Sequence, residues 1–251
     1  MTKDVQEVFG VRASYYVESK AHKDQGVLEW VSNLAELEPH MDVLDLATGT
    51  AHTAMHLAPE ARRVVGADIT KNMLLQARQE IEKKGIANID LLRCDAQRLP
   101  FPDGSFHRVT CRRAMHHFLD VEGALREVHR ILRPGGLLII DDRSVPEDYE
   151  VDRMMNQLDK WHDQSHVRQH RASEWMRMLR ESGFSVEEKV PYQQMRPLSS
   201  LTDHVVEEDR MSILNAIGMM DEGMKEKMSV QERDGTIYSM HWYILLKARR
   251  N

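Results

Sequence analysis

The sequence predicts a doubly wound α/β fold built on a mostly parallel sheet. Short apolar runs alternate with longer amphipathic stretches, and the connections between them are brief. The run Leu137-Leu138-Ile139-Ile140 is apolar at every position, the pattern of a strand covered on both faces. The early runs each end in an acid, at Asp45, Asp68 and Asp95, which places polar groups together at one sheet edge.

Taken in order, residues 5–18 read as a leading helix and 26–38 as a second, stopped by Pro39. Strand one covers 42–46, and a helix follows over 50–58. Strand two covers 63–68. Residues 71–84 form a helix because Leu74, Ala77 and Ile81 fall on one side while Asn72 and the charges face water; Gly85 ends it. Strands are expected at 89–94 and 106–111, then a helix at 121–132 with Leu125, Val128 and Leu132 inward. Pro134-Gly135-Gly136 turns the chain into a strand at 137–141. After Asp142 the pattern changes to helices at 149–164 and 173–182 and a strand at 184–190. A helix at 202–227, broken near Gly218 to Gly223, and a long strand at 236–247 complete the chain.

The chain has 251 residues, 41% hydrophobic and 29% charged, which suits one α/β domain with insertions. Its formal charge of −6 offers no basic surface for nucleic acid, and the tail Lys247-Ala248-Arg249-Arg250 reads as a solvated terminus. No apolar run approaches membrane-spanning length, and Met1-Thr2-Lys3-Asp4 lacks an apolar leader core. Two cysteines, Cys94 and Cys111, exclude a disulfide framework, so a cytoplasmic setting is expected.

The turn Asp45-Leu46-Ala47-Thr48-Gly49-Thr50-Ala51 joins a strand to a helix through small residues, which lets backbone approach a nucleotide-like ligand. Asp45 narrows the choice. A dinucleotide brings a pyrophosphate, which a fixed negative charge repels; S-adenosylmethionine brings an ammonium and a sulfonium, which it attracts. Asp68, 23 residues later, is placed to accept both ribose hydroxyls, and Asp95 to accept an adenine amino group.

With Leu99-Pro100-Phe101-Pro102-Asp103-Gly104-Ser105-Phe106 and Glu127-Val128-His129-Arg130-Ile131-Leu132-Arg133-Pro134-Gly135-Gly136, these acids resemble the class I S-adenosylmethionine-dependent methyltransferases. The likeness, over residues 10–143, is to the branch that includes the ubiquinone and menaquinone biosynthesis enzymes. It implies a Rossmann-like sheet of seven strands with an antiparallel C-terminal edge strand, and a single domain over 1–251. Residues 1–38 would supply lid helices, and 143–235 would partly be cap insertions. It also implies a cofactor site of Tyr16, Asp45, Ala47, Thr48, Gly49, Asp68, Ile69, Asp95, Ala96 and Arg112. Tyr15, His117, Arg143 and His166 are the candidates for acceptor binding. Two departures stand out. The turn keeps only Gly49, with Ala47 and Ala51 in the outer glycine places, a change that fits if neither needs positive φ. Strand four opens Phe106-His107 in place of Phe-Asp.

Met115-His116-His117-Phe118 follows strand four, where open α/β sheets bind ligands, so His117 or His116 is the candidate general base, against a bland role in packing on the cofactor. His162, His166 and His170 are spaced by four and would share a face if helical, yet Ser165 and the flanking charges read as a polar bend, so no metal is expected. The segment from Asp163 to Arg168 with Ser173-Glu174-Trp175 resembles a subgroup of bacterial methyltransferases. The expected activity is methyl transfer to oxygen, carbon or nitrogen of a small molecule by a monomer or homodimer, with no nucleic-acid partner. A methyltransferase of RNA or protein, a non-catalytic cofactor binder and a nicotinamide oxidoreductase remain as alternatives; the last lacks Gly-x-Gly-x-x-Gly.

Overall fold

Burial alternates along the first strand: Leu44 and Leu46 face one side of the sheet and Val43 the other, all nearly inaccessible, so both faces demand a cover of helices. The computed structural model describes residues 4–18 and 23–251, without the side chains of Tyr15 and Glu18. Among the described residues nine strands form one sheet: β1 (Asp42–Leu46), β2 (Arg63–Asp68), β3 (Ile89–Arg93), β4 (Phe106–Arg112), β5 (Leu132–Val145), β6 (His170–Arg171), β7 (Phe184–Pro197), β8 (Gln231–Arg233) and β9 (Thr236–Arg250). The main path runs β3-β2-β1-β4-β5-β9-β7, with β6 beside β5 and β8 beside β9.

The strands from β1 to β5 pair in parallel, and β9 is antiparallel to both its neighbours. The expected seven-strand order with an antiparallel C-terminal strand is therefore present. One detail differs: β9 lies one place inside the edge, and β7 is outermost. The chain leaving β7 reverses direction, and the slot between β5 and β7 gives the returning strand two hydrogen-bonded ladders instead of one.

The helices are α1 (Val5–Glu18), α2 (Gln25–Ala35), α3 (His52–Leu57), α4 (Lys71–Lys83), α5 (Val121–Ile131), α6 (Tyr149–His162), α7 (Ala172–Glu181), α8 (Ser199–Thr202), α9 (Glu207–Gly218) and α10 (Glu222–Lys227). Helices α5 and α7 cover one face through Leu125, Val128, Trp175 and Leu179. Helices α2, α3 and α4 cover the other through Val31, Ala54, Leu57, Ala77 and Ile81. Asp120 and Asp148 cap α5 and α6 by accepting backbone N–H groups of the first turn, each worth about 1 kcal/mol. A separate apolar cluster joins α6, α8 and α9 through Met155, Leu158, Leu201, Ile213 and Ile217, and so binds the expected cap together.

Helix α1 packs on α4 across the carboxyl ends of the strands. Asn72 Nδ2 donates to Gly10 O (2.9 Å), and Arg93 donates to Gln6 Oε1 (2.7 Å). The two motifs that carried the family likeness dock on each other: Glu127 accepts the Leu99 N–H, and Arg130 donates to the carbonyls of Leu99 and Phe101. Gly136 is required there, since a Cβ would meet Arg133 O at 2.9 Å and His107 O at 3.0 Å. The His107 departure also has a local reason: its Nδ1 accepts the Asp42 N–H at 3.0 Å, at the start of β1.

Candidate active site

The strand-end acids converge because parallel strands end together on one side of the sheet. A cavity of about 540 Å³ opens there, within the usual range for small-molecule sites. Its lining contains Tyr16, Asp45, Ala47, Thr48, Gly49, Asp68, Ile69, Asp95, Ala96 and Arg112, the whole of the expected cofactor set.

Asp68 accepts the Gly49 N–H on one oxygen (2.9 Å) and the Thr70 N–H on the other (2.8 Å). The Thr70 hydroxyl and the Ile69 N–H also lie against this carboxyl, which lines the cavity. Burial pushes this carboxyl up, and the backbone hydrogen bonds oppose the rise. Asp45 accepts the hydroxyls of Thr48 (2.5 Å) and Thr110 (2.8 Å) and is 1% exposed. Burial pushes its carboxyl up to about 6 against the pull of those hydroxyls and of Arg112. Such a group gains strongly from a bound cation. Asp95 is exposed at the mouth, where it accepts the Gln97 N–H (2.9 Å). Arg112 is buried and donates to Thr53 Oγ1 at 3.1 Å.

The turn corrects one expectation. Ala47 (φ 53°) and Ala51 (φ 65°) both sit in the left-handed region, beside Gly49 (φ 55°). The tight path from β1 into α3 imposes this geometry whatever the side chain, at a cost of roughly 1–2 kcal/mol per alanine. The Thr48 N–H to Ala67 O bond (2.9 Å) and the Ala51 N–H to Thr48 O bond (2.8 Å) hold the strained turn in place.

At the other end of the cavity lie Phe9 and Tyr16 of α1, with His117, Phe118, Leu119, Ser165 and Val167. Tyr16 packs on Phe9 with ring centroids 5.2 Å apart, and His52 meets the Tyr16 carbonyl at 3.2 Å. Tyr15 occupies α1, but its side chain lies outside the described residues. Of the paired histidines only His117 lines the cavity. His116 is buried with Nδ1 on Asp142 Oδ1, which removes it as a candidate base in contact with the acceptor. Both belong to the short 3₁₀ turn Met115–His117, where successive side chains point about 120° apart.

Two expected acceptor residues are likewise elsewhere. Arg143 pairs with the buried carboxylate of Asp159 (2.8 Å) and meets His241 Nδ1 at 3.2 Å, on the cap side of β5. Burial pushes Asp159 up to about 6, and Arg143 is its counter-ion. His166 is 1% exposed and donates through Nε2 to Asn156 Oδ1 (3.0 Å). Side chains alternate along this segment, so Ser165 and Val167 face the cavity and His166 does not. The series His162, His166 and His170 shares no helical face, because α6 ends at His162, whose Nδ1 donates to Leu201 O (2.9 Å).

Sequence reasoning missed Phe9, His52, Thr53 and Leu119. The spacing of Val5, Phe9 and Tyr16 by four and seven was a legible signal, since it puts all three on one helical face. Nothing local singles out Ser165 within its segment.

A family model described as a methyltransferase domain matches residues 44–140. YcgJ of Bacillus subtilis, whose name is uncharacterized methyltransferase, is 37% identical over 171 residues, 68% of each chain. The chain belongs to the class I methyltransferases. The crystal structure of YcgJ matches with a TM-score of 0.84 at 28% identity, over 90% of this methyltransferase and 99% of that chain. BH2331 of Bacillus halodurans matches with a TM-score of 0.85 at 34% identity, over 89% and 98%. The ubiquinone/menaquinone biosynthesis C-methyltransferase of Shewanella frigidimarina is 37% identical over 118 residues. These are 45% of this chain and 47% of that one, so the chain spans about half of that relative. Membership of the family implies S-adenosylmethionine as methyl donor. Among the described residues no helix is long and apolar enough to cross a membrane.

Proposed function

We propose that this methyltransferase binds S-adenosylmethionine along the ends of β1 to β4. It passes the methyl to a small, ring-bearing acceptor seated between α1 and residues 163–168. One observation carries the reading: a single cavity reaches from Asp68 and Asp95 to His117 and Ser165, with Phe9 and Tyr16 of α1 also lining it. The residues present fit the cofactor. Asp68 is an acid on the cavity wall able to accept ribose hydroxyls, Gly49 and the alanines admit close approach, and Asp45 is a buried acid that gains from an ammonium. Residues 1–38 and 143–235 are read as lid and cap of one domain.

When bound, the cofactor supplies an electrophilic methyl with a neutral sulfide as leaving group. The protein's part is alignment, water exclusion and proton removal. Phe9, Phe118, Leu119 and Val167 give the acceptor end an apolar wall, which favours a flat, weakly charged ligand over a polyanion. His117 is the general base for a hydroxyl, whether the methyl goes to that oxygen or to a carbon activated by it. The likeness to ubiquinone and menaquinone enzymes supports phenolic acceptors as the first to try.

The test pairs a panel of phenols with calorimetry. His117→Ala is expected to lower turnover by about 10²–10⁴-fold with S-adenosylhomocysteine affinity kept. Equal turnover in the variant removes the base. Methylation of RNA or protein with none of small phenols overturns the acceptor class.

A further inference from the structure

The cap segment 163–168 folds onto the turn that carries the histidines. Val167 and Arg168 both donate their N–H groups to His116 O (3.0 Å each), and His166 N–H donates to Asp163 O (2.9 Å). This places the buried Ser165 hydroxyl 2.6 Å from Asp163 Oδ1 and 3.2 Å from His117 Nδ1. A hydroxyl has one proton. Asp163 Oδ1 also accepts the Ser165 backbone N–H at 2.9 Å, as an ionised carboxylate does. The serine proton therefore lies on the aspartate side, and Ser165 Oγ is left to accept from His117 Nδ1–H.

We propose that Asp163 and Ser165 are positioning residues that hold His117 as the Nδ1-protonated tautomer, leaving the Nε2 lone pair for the acceptor proton. The inference rests on the reading of His117 as base. The charge balance is simple. The acceptor O–H bond breaks and the His117 Nε2–H bond forms. The acceptor's new bond to the methyl forms as the carbon–sulfur bond breaks, and the sulfur keeps that electron pair. The imidazolium then loses its proton to water. Asp163 stays ionised throughout and stabilises the imidazolium through Ser165.

The groups facing His117 are consistent with this. Phe9 of α1 meets it edge-on, with ring centroids 5.0 Å apart. From its own turn His116 lies 4.1 Å away, and from the cap His166 lies 6.4 Å away. Burial pushes both those histidines down, so they stay neutral. Asp142 stands behind His116, Arg12 of α1 lies 3.9 Å from Asp163, and Arg113 and Arg143 add positive charge deeper in. Burial pushes the Asp163 carboxyl up, but the nearby His117 and the two Ser165 hydrogen bonds outweigh it and hold it at about 2.

The experiment is nitrogen-15 spectroscopy of labelled histidine with S-adenosylhomocysteine bound, which reads the tautomer without any acceptor. Wild type is expected to show His117 protonated on Nδ1. In Asp163→Ala the Ser165 hydroxyl loses its acceptor and turns to Nδ1, so the proton should move to Nε2. Ser165→Ala should release the Nδ1 proton to either ring nitrogen, and Ser165→Thr should restore the Nδ1–H form. Cofactor affinity equal to wild type establishes that each variant is folded. A wild-type Nε2–H ring, or a ring unaltered in Asp163→Ala, overturns the proposal. If the tautomer responds as stated but His117→Ala keeps full turnover, the base reading fails instead and takes the catalytic meaning of the pair with it.

Discussion

Cofactor affinity is expected to fall with pH through the titration of Asp45. Burial raises its carboxyl from an ordinary 3.8 to about 6. An ammonium placed against it favours the ionised form. If binding returns the group to its ordinary range, the shift of about two units corresponds to about 3 kcal/mol of coupling. The sign follows: above about pH 6 the acid is already ionised and affinity is flat. Below it, one proton must leave on binding, and affinity drops tenfold per unit until the bound-state pKa is reached. At pH 5 the affinity for S-adenosylhomocysteine should thus be roughly tenfold below that at pH 7.5, with a proton released in calorimetry in buffers of different ionisation enthalpy. His52 also lines the cavity, and burial pushes its pKa down. Asp45→Asn retains His52 and Asp68, whose carboxyl burial also raises, and so isolates Asp45: it should bind more weakly at neutral pH and lose the part of the slope that Asp45 supplies. A flat profile in wild type, or an equal slope in Asp45→Asn, would refute the reasoning.

Asp68→Ala should cost about 1.5–3 kcal/mol of cofactor affinity for each charged hydrogen bond lost, measured by calorimetry on folded protein; unchanged affinity contradicts the ribose assignment. Ala51→Gly should hold or raise stability, because relief of roughly 1–2 kcal/mol of left-handed strain outweighs the roughly 0.4–1 kcal/mol of added chain entropy. A denaturation midpoint well below wild type would argue against strain there. Arg143→Met should destabilise by about 3–5 kcal/mol by stranding the Asp159 carboxylate, and Asp159→Leu in the same chain should recover most of it. Normal stability with poor acceptor binding would instead return Arg143 to the acceptor site. Dialysis against a chelator should leave turnover intact; a loss restored by one divalent ion would revive the metal reading of His162, His166 and His170.

Much of the core was legible because its causes are local. The five parallel strands follow from short apolar runs alternating with helices, the first three ending in acids, and α4 from Leu74, Ala77 and Ile81 at helical spacing. Ligand charge made Asp45 and Asp68 readable, since an acid at the end of a buried strand loses hydration that a cation or a hydroxyl donor must replace. The two-residue β6 and three-residue β8 were not legible, because such short pairings are set by the neighbouring strand and carry no pattern of their own.

The division at the active site has a physical reason. Cofactor groups lie on consecutive strand ends, so order along the chain maps directly onto order in space. The acceptor end is assembled from α1, the turn after β4 and a bend after α6, which only packing brings together. Sequence could name two adjacent histidines but not which faces the cavity; the 120° step of a 3₁₀ turn decided that. It could mark Asp163 to Arg168 as a polar bend, but two hydrogen bonds to His116 O, from a segment far along the chain, put Ser165 rather than His166 beside His117. The strain at Ala47 and Ala51 was hidden for the same reason, since φ is imposed by the path the chain must take between β1 and α3, and that path exists only in the folded sheet.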